Sequence, residues 1–302
     1  MKFLEALGVK IERWMRRRGP RIEEYNLIVD LLRKNPLSLA GIVIVLSLIL
    51  VAVFAPIIAP YPNDVTDVHL EKSLRPMSWQ HPFGTDDMGR DIFSRVILGS
   101  RISLEIAIMV IAISLAVGIP LGAIAGYMGG WIDETIMRVT DMFLAFPSIL
   151  LAMAIAAALG PSLTNTMIAI SLTWWPWYTR LVRGQALSLR ERTFVEAAKA
   201  MGVSQKRIIF QHILPHTFSS VIVQISMDVG YVIITAAGLG FVGLGAQPPA
   251  PEWGLMISIG RTFMPQWWWY ATFPGLAIMI VVLGFNFLGD ALRDIMDPRL
   301  RR

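Results

Sequence analysis

Apolar positions along this chain do not mark one face of successive helices. They run together in blocks of about twenty residues, the length with which an α-helix crosses the hydrocarbon core of a bilayer. Six blocks stand out, Leu37–Ala59, Leu104–Tyr127, Met137–Leu159, Leu163–Val182, Phe218–Gly240 and Phe273–Gly289. The fourth is the least regular, because Pro176 interrupts it and Trp174, Trp175, Trp177 and Tyr178 crowd its later part, with Arg180 and Arg183 close behind. Such aromatics favour a membrane–water boundary, so this end nears the cytoplasm. The pattern predicts an all-α, polytopic membrane protein with about six transmembrane helices. The first block reads as an uncleaved anchor rather than a signal peptide.

Composition agrees. With 55% hydrophobic and 16% charged residues and a mean hydropathy of +0.57, the chain is too apolar for an ordinary soluble domain. The absence of cysteine excludes disulfides, Cys-based zinc or iron–sulfur sites and thiol catalysis. A net charge of +5 and a pI near 9.7 bring nucleic acid to mind, but the bases cluster beside apolar blocks, where membrane orientation explains them and no nucleic-acid partner is expected. Lys2, Lys10, Arg13, Arg16 to Arg18, Arg21, Arg33 and Lys34 precede the first block, and Arg190, Arg192, Lys199, Lys206 and Arg207 follow the fourth. Both stretches read as cytoplasmic. The expected organisation is a basic cytoplasmic tail at 1–36, a first transmembrane helix at 37–59, an extracytoplasmic segment at 60–103, a core at 104–289 with a cytoplasmic loop at 184–217, and a cytoplasmic tail at 290–302. In the first tail Phe3, Leu7, Ile11 and Trp14 recur at helical spacing among bases, which predicts a helix lying on the anionic leaflet, against the plainer reading of a basic tail with transient helicity.

Motifs for chemistry mostly dissolve. Gly238, Gly240 and Gly243 fit a dinucleotide fingerprint, but no strand precedes them, and close helix packing with a break near the outer surface is the better reading. His212 and His216 are four apart, yet Pro215 interrupts their helix and a third metal ligand is lacking. Without a Gly-x-x-x-x-Gly-Lys-Ser/Thr loop the chain should not bind ATP through a P-loop of its own, so energy must come from another subunit. Asp228 falls inside the fifth block, where an exposed carboxylate is costly, and it should face protein or a polar pathway. Arg138 and Asp141 read as a local helical pair, and Asp133 and Glu134 as acids placed to suit a helix start.

One stretch is more specific. Glu196-Ala197-Ala198, Gly202 and His212-Ile213-Leu214-Pro215 lie in the basic loop after the fourth block, arranged as a short helix, a glycine turn and a second helix, with Ala197 and Ala198 small enough for another protein's groove to approach the backbone. This resembles the coupling loop of permease subunits of binding-protein-dependent ABC importers, with His212 where the general pattern has Ile, as in the dipeptide, oligopeptide and nickel subgroup. The run Phe83-Gly84-Thr85-Asp86-Asp87-Met88-Gly89-Arg90-Asp91 through Leu104, the stretch Gly243 to Gly254, and the ending from Phe285-Asn286 to Asp297-Pro298 resemble the same subgroup's C-type permeases. For Thr85 to Asp91 a capped amphipathic surface helix is favoured over a ligand site.

The resemblance implies a type I ABC importer permease fold, a second homologous permease, two ABC ATPase subunits and an extracytoplasmic solute-binding protein. The chain itself would hold no cofactor, with ATP and Mg on the ATPases, and would break no bond. Glu196, Ala197, Ala198 and Gly202 would transfer force, and Asp228 is the candidate pathway residue. Dipeptides or oligopeptides are the implied cargo, with nickel, glutathione-like peptides or an oligosaccharide as alternatives. A different class, an ion-coupled secondary transporter using Asp228 as its acid, lacks the inverted repeat common in such folds.

Overall fold

Helix boundaries follow from caps and prolines. In the computed structural model, which describes residues 35–296, α1 (Pro36–Ile58) begins where Asn35 accepts the Leu37 and Ser38 N–H groups at 3.1 and 3.4 Å and Pro36 occupies the first turn, where no N–H is needed. The interfacial helix expected at Phe3 to Trp14 lies outside the described residues. α2 (Ile92–Met128) starts at its Asp91 cap, whose Oδ2 accepts the Ser94 N–H at 2.7 Å, and not at Leu104. Its first turns carry too many polar residues for hydropathy to detect.

The block Met137–Leu159 is not one span. α3 (Gly130–Leu144) and α4 (Ser148–Leu159) meet at 84°, broken at Pro147, which lacks an N–H and biases Phe146 away from helical geometry. α5 (Leu163–Leu189), capped by Ser162, continues across Pro176 and well past Val182. After it come a short helix α6 (Thr193–Ala200), the long α7 (Gln205–Phe241) with a π-helical turn at Ile208–Ile213 just before Pro215, α8 (Trp253–Gly260) and α9 (Trp269–Met296). α9 therefore extends into the stretch expected to be a tail.

By length and apolar character α1, α2, α7 and α9 can cross a membrane, and the bent α3–α4 pair can make a fifth span. α5 is long enough, but its Trp, Tyr, Thr and Arg residues leave it less apolar, and it sits against α2, α4 and α7 within the bundle. In their most apolar windows α1 and α9 are 28% and 22% buried against 44% for α7, which makes α7 central and the other two peripheral. The core joins Ile106 and Val110 of α2, Ile170 and Tyr178 of α5, Val232 of α7, Trp253 of α8, and Tyr270 and Val281 of α9.

The α2–α5 contact is the most extensive, and three glycines make it. A Cβ on Gly118, Gly122 or Gly126 would lie 2.7, 2.5 or 2.6 Å from the carbonyl oxygens of Trp175, Thr179 and Arg183. Only hydrogen at these positions lets the two backbones approach so closely. Arg183 then donates to both Asp133 oxygens at 2.5 and 2.7 Å, and Arg180 to Asp141 at 2.7 Å, tying α5 to α3. The expected Arg138–Asp141 pair is thus replaced by a cross-helix pair, while Arg138 bonds Glu134 one turn earlier. Asp133 does lie in the first turn of α3, but its carboxylate serves the guanidinium.

Candidate functional site

The loop between α5 and α7 is a knob with a fixed back and an open front. Val195 and Ala198 of α6 are buried with Ala123, Val182, Ala186, Ile208, Ile213 and Leu214, so the short helix is seated by its own apolar face. Glu196, Ala197, Ala200 and Met201 are exposed, and Met201 keeps 77% of its surface. Ala198 therefore does not offer its side to a partner, as its sequence neighbourhood implied; a helix of this length turns Ala198 inward with Val195, three positions away. Glu196 stands in the first turn, where a carboxylate suits the helix dipole.

Gly202 ends α6. Its N–H reaches the Lys199 carbonyl at 2.9 Å, and its φ of 75° turns the chain so that the Val203 N–H reaches the Ala198 carbonyl at 3.1 Å, satisfying two carbonyls that a helix end otherwise leaves bare. Lys199 lies over the Tyr127 ring at 5.3 Å, and Phe194 stacks on His216 at 5.0 Å, so both ends of α6 are pinned to neighbouring elements. His216 donates from Nδ1 to the His212 carbonyl at 2.7 Å. Among the described residues no group of three His, Cys, Asp or Glu side chains is arranged to hold a metal.

Asp228 sits in the middle of α7, buried by its own chain rather than turned to lipid. Gln224 donates to its Oδ1 at 2.9 Å, and Tyr178 and Trp174 of α5 face the same carboxylate. The structure does not bring Asp228 together with the loop residues. Asp228 occupies the helical core and the knob an exposed surface.

Residues 118–302 match the family described as binding-protein-dependent transport system inner membrane component, and residues 27–76 match the N-terminal TM domain of oligopeptide transport permease C. The chain belongs to the binding-protein-dependent transport permeases. Over 270 residues it is 49% identical to the dipeptide transport system permease protein of Alkalihalophilus pseudofirmus, covering 89% of this chain and 88% of that one. It is 46% identical over 272 residues to the probable D,D-dipeptide transport system permease protein of Escherichia coli K12, covering 90% and 91%. The glutathione transport system permease protein of Pectobacterium atrosepticum is 44% identical over 270 residues, covering 89% of each chain. In fold the chain resembles the inward-facing MetNI methionine ABC transporter, with a TM-score of 0.56 and 18% identity over 68% of this chain and 98% of that one. It is a multi-pass inner membrane protein with the type I importer permease fold.

In the permease, the Thr85–Asp91 motif is an internal lock rather than a surface helix. Residues 85–91 form a turn closed by a Thr85–Asp91 bridge, with Thr85, Asp86 and Asp91 fully buried. Asp86 accepts from the Met88 and Arg90 N–H groups and from Arg90 Nε at 2.7 to 2.9 Å, and burial raises its pKa against the opposing pull of Arg95 and Arg90. Arg95 donates across to the carbonyls of Val65, Pro249 and Ala250 at 2.6, 3.2 and 3.4 Å, and Trp253 donates to the Val96 carbonyl at 3.0 Å. Tyr270 reaches Asp87 at 2.8 Å, and His81 meets Asp91 at 2.9 Å. Glu252 caps α8 through the Gly254 and Leu255 N–H groups at 2.8 and 2.7 Å; burial raises its pKa, and those two donors oppose the rise. The motif residues thus stitch the segment before α2 to the one before α8. Sequence reading missed Arg95 as the hub, and the glycine ridge of α2, although the four-residue spacing of Gly118, Gly122 and Gly126 was there to be seen.

Proposed function

We propose that the permease forms half of the translocation pathway of an ATP-driven importer of short peptides. A second homologous permease supplies the other half, two ABC ATPases engage the α6 knob from the cytoplasm, and an extracytoplasmic solute-binding protein delivers the peptide. The cargo assignment is carried by one observation: relatives named for dipeptide transport align with this chain along about nine tenths of both lengths. Knob geometry supports the ATPase part, because an exposed front of Glu196, Ala197 and Met201 on a rigidly seated helix can pass on force without being crushed. ATP and Mg belong to the ATPases in this scheme, with Glu196, Ala197 and Gly202 taking the force and Ala198 anchoring the helix that receives it. N- and C-termini then lie in the cytoplasm, as the bases around them favour. Relatives named for glutathione transport favour a second cargo, a glutathione-like peptide. The test is uptake of radiolabelled alanylalanine into liposomes holding the full complex, with glutathione as competitor. Uptake should require ATP and the binding protein; uptake that follows an ion gradient without ATP would refute the importer reading.

A further inference from the structure

Three polar atoms from two helices meet inside the bundle without completing their bonds. Asp228 Oδ2, Tyr178 Oη and Trp174 Nε1 are all buried, and among the described residues none makes a hydrogen bond of full geometry, although both α5 donors lie against the carboxylate. Asp228 is 4% exposed and Tyr178 0%. Trp174 and Tyr178 are four apart on α5 and so share one face, which is turned to the carboxylate on α7. Gln224, one turn back on α7, holds only Oδ1. No Arg, Lys or His among the described residues neutralises the carboxylate there. An acid so placed in a membrane interior is costly unless the surrounding donors hold it.

The two helices concerned are the two arms of the knob. α5 ends at Leu189, just before α6, and α7 begins at Gln205, just after it. α5 is in turn fixed to α2 by the glycine ridge and to α3 by Arg183 and Asp133. Displacement of α6 can reach the bundle coherently only if its arms do not slide past each other. We infer that Asp228 is a positioning residue: its carboxylate, with Tyr178 and Trp174 as donors, clamps α5 to α7 so that both arms of the α6 loop move as one body. The clamp rests on the importer reading above and goes beyond it by taking Asp228 away from the substrate.

The experiment compares Asp228→Leu, Asp228→Asn, Tyr178→Phe and the Asp228→Leu/Tyr178→Phe double variant in the full complex in liposomes, reading alanylalanine taken up per ATP hydrolysed. Asp228→Leu should keep ATP hydrolysis and lower the ratio about tenfold, within the range of measured couplings between sites. Asp228→Asn, which still accepts a hydrogen bond, should stay within about threefold of the parent. Tyr178→Phe should lower the ratio, and the double variant should be no worse than Asp228→Leu, as two halves of one contact require. An unchanged ratio in Asp228→Leu overturns the clamp, and so does an Asn variant as impaired as the Leu variant, which would point to a charge needed by the cargo. If Asp228→Leu does not assemble, Tyr178→Phe decides alone, and normal coupling in it overturns the clamp. Loss of ATP dependence in the parent complex would instead overturn the importer reading and, with it, the clamp that rests on it.

Discussion

Arg95→Met tests whether one guanidinium holds the segments around residues 63–91 and 246–252 of the permease together. Arg95 is 1% exposed, bonds three carbonyls from two distant segments, and has its Nε 3.5 Å from Asp86 Oδ2. Methionine roughly fills the stem of the side chain, so the cavity contribution is small and the loss is electrostatic. Deleting one partner of a buried pair costs about 3–5 kcal/mol. Arg90 keeps its own bond to Asp86 at 2.7 Å, which leaves that carboxylate partly compensated and places the expected loss at the lower end, about 3 kcal/mol. The control is Arg138→Ala, whose pair with Glu134 is 75% and 62% exposed and should be worth no more than about 0.5 kcal/mol. Unfolding of the detergent-purified permease, followed by tryptophan fluorescence, gives the difference, and hydrogen exchange over residues 63–91 and 246–252 locates it. Arg95→Lys should recover only part, because a single ammonium lacks the fork that spans the three carbonyls. A loss below about 1 kcal/mol in Arg95→Met, or exchange in both segments at the parent rate, would refute the lock, given the size expected for a buried pair.

Gly122→Val should destabilise by about 1–3 kcal/mol, because its Cβ would sit 2.5 Å from the Thr179 carbonyl in a contact between two backbones, whereas Gly184→Ala, with nothing within 4 Å, should be neutral or slightly stabilising in the same unfolding assay. Gly202→Val meets no neighbour but must hold a φ of 75°, at about 1–3 kcal/mol. It should reach the membrane and pair with the second permease yet copurify with less ATPase, and Glu196→Ala should show a milder loss. Burial raises the Glu252 pKa above its ordinary value, so the folded state holds the proton more tightly than the unfolded chain. Its contribution to stability is therefore fullest below the unfolded pKa and is lost as pH rises through the folded one. Thermal unfolding followed as pH rises from the ordinary glutamate range, about pH 4.3, should show this decline, and Glu252→Gln should flatten that part of the curve.

Much of the architecture is legible in the linear chain because the bilayer imposes a local rule. A backbone in hydrocarbon must bond to itself, so spans appear as long apolar runs. Asn35-Pro36 marks a helix start and Gly202 a helix end for equally local reasons, since caps act on N–H and carbonyl groups within a few residues. The order of Gly, Asp, Pro and Arg residues in the loops was sufficient to place the chain among the ABC importer permeases. Hydropathy could not reveal the bend at Pro147, because Phe146 and Pro147 interrupt the helix without interrupting the apolar run. Neither could it pair Arg183 with Asp133, 50 residues away, or Arg95 with Pro249, 154 residues away. Whether Ala198 faces a partner or its own core, and whether Asp228 faces cargo or α5, depends on how each helix is rotated about its axis. That rotation is decided by the helices packed around it: the glycine ridge brings α5 against α2, the resulting position of α5 carries Tyr178 to Asp228, and each segment's sequence alone holds only one side of the contact.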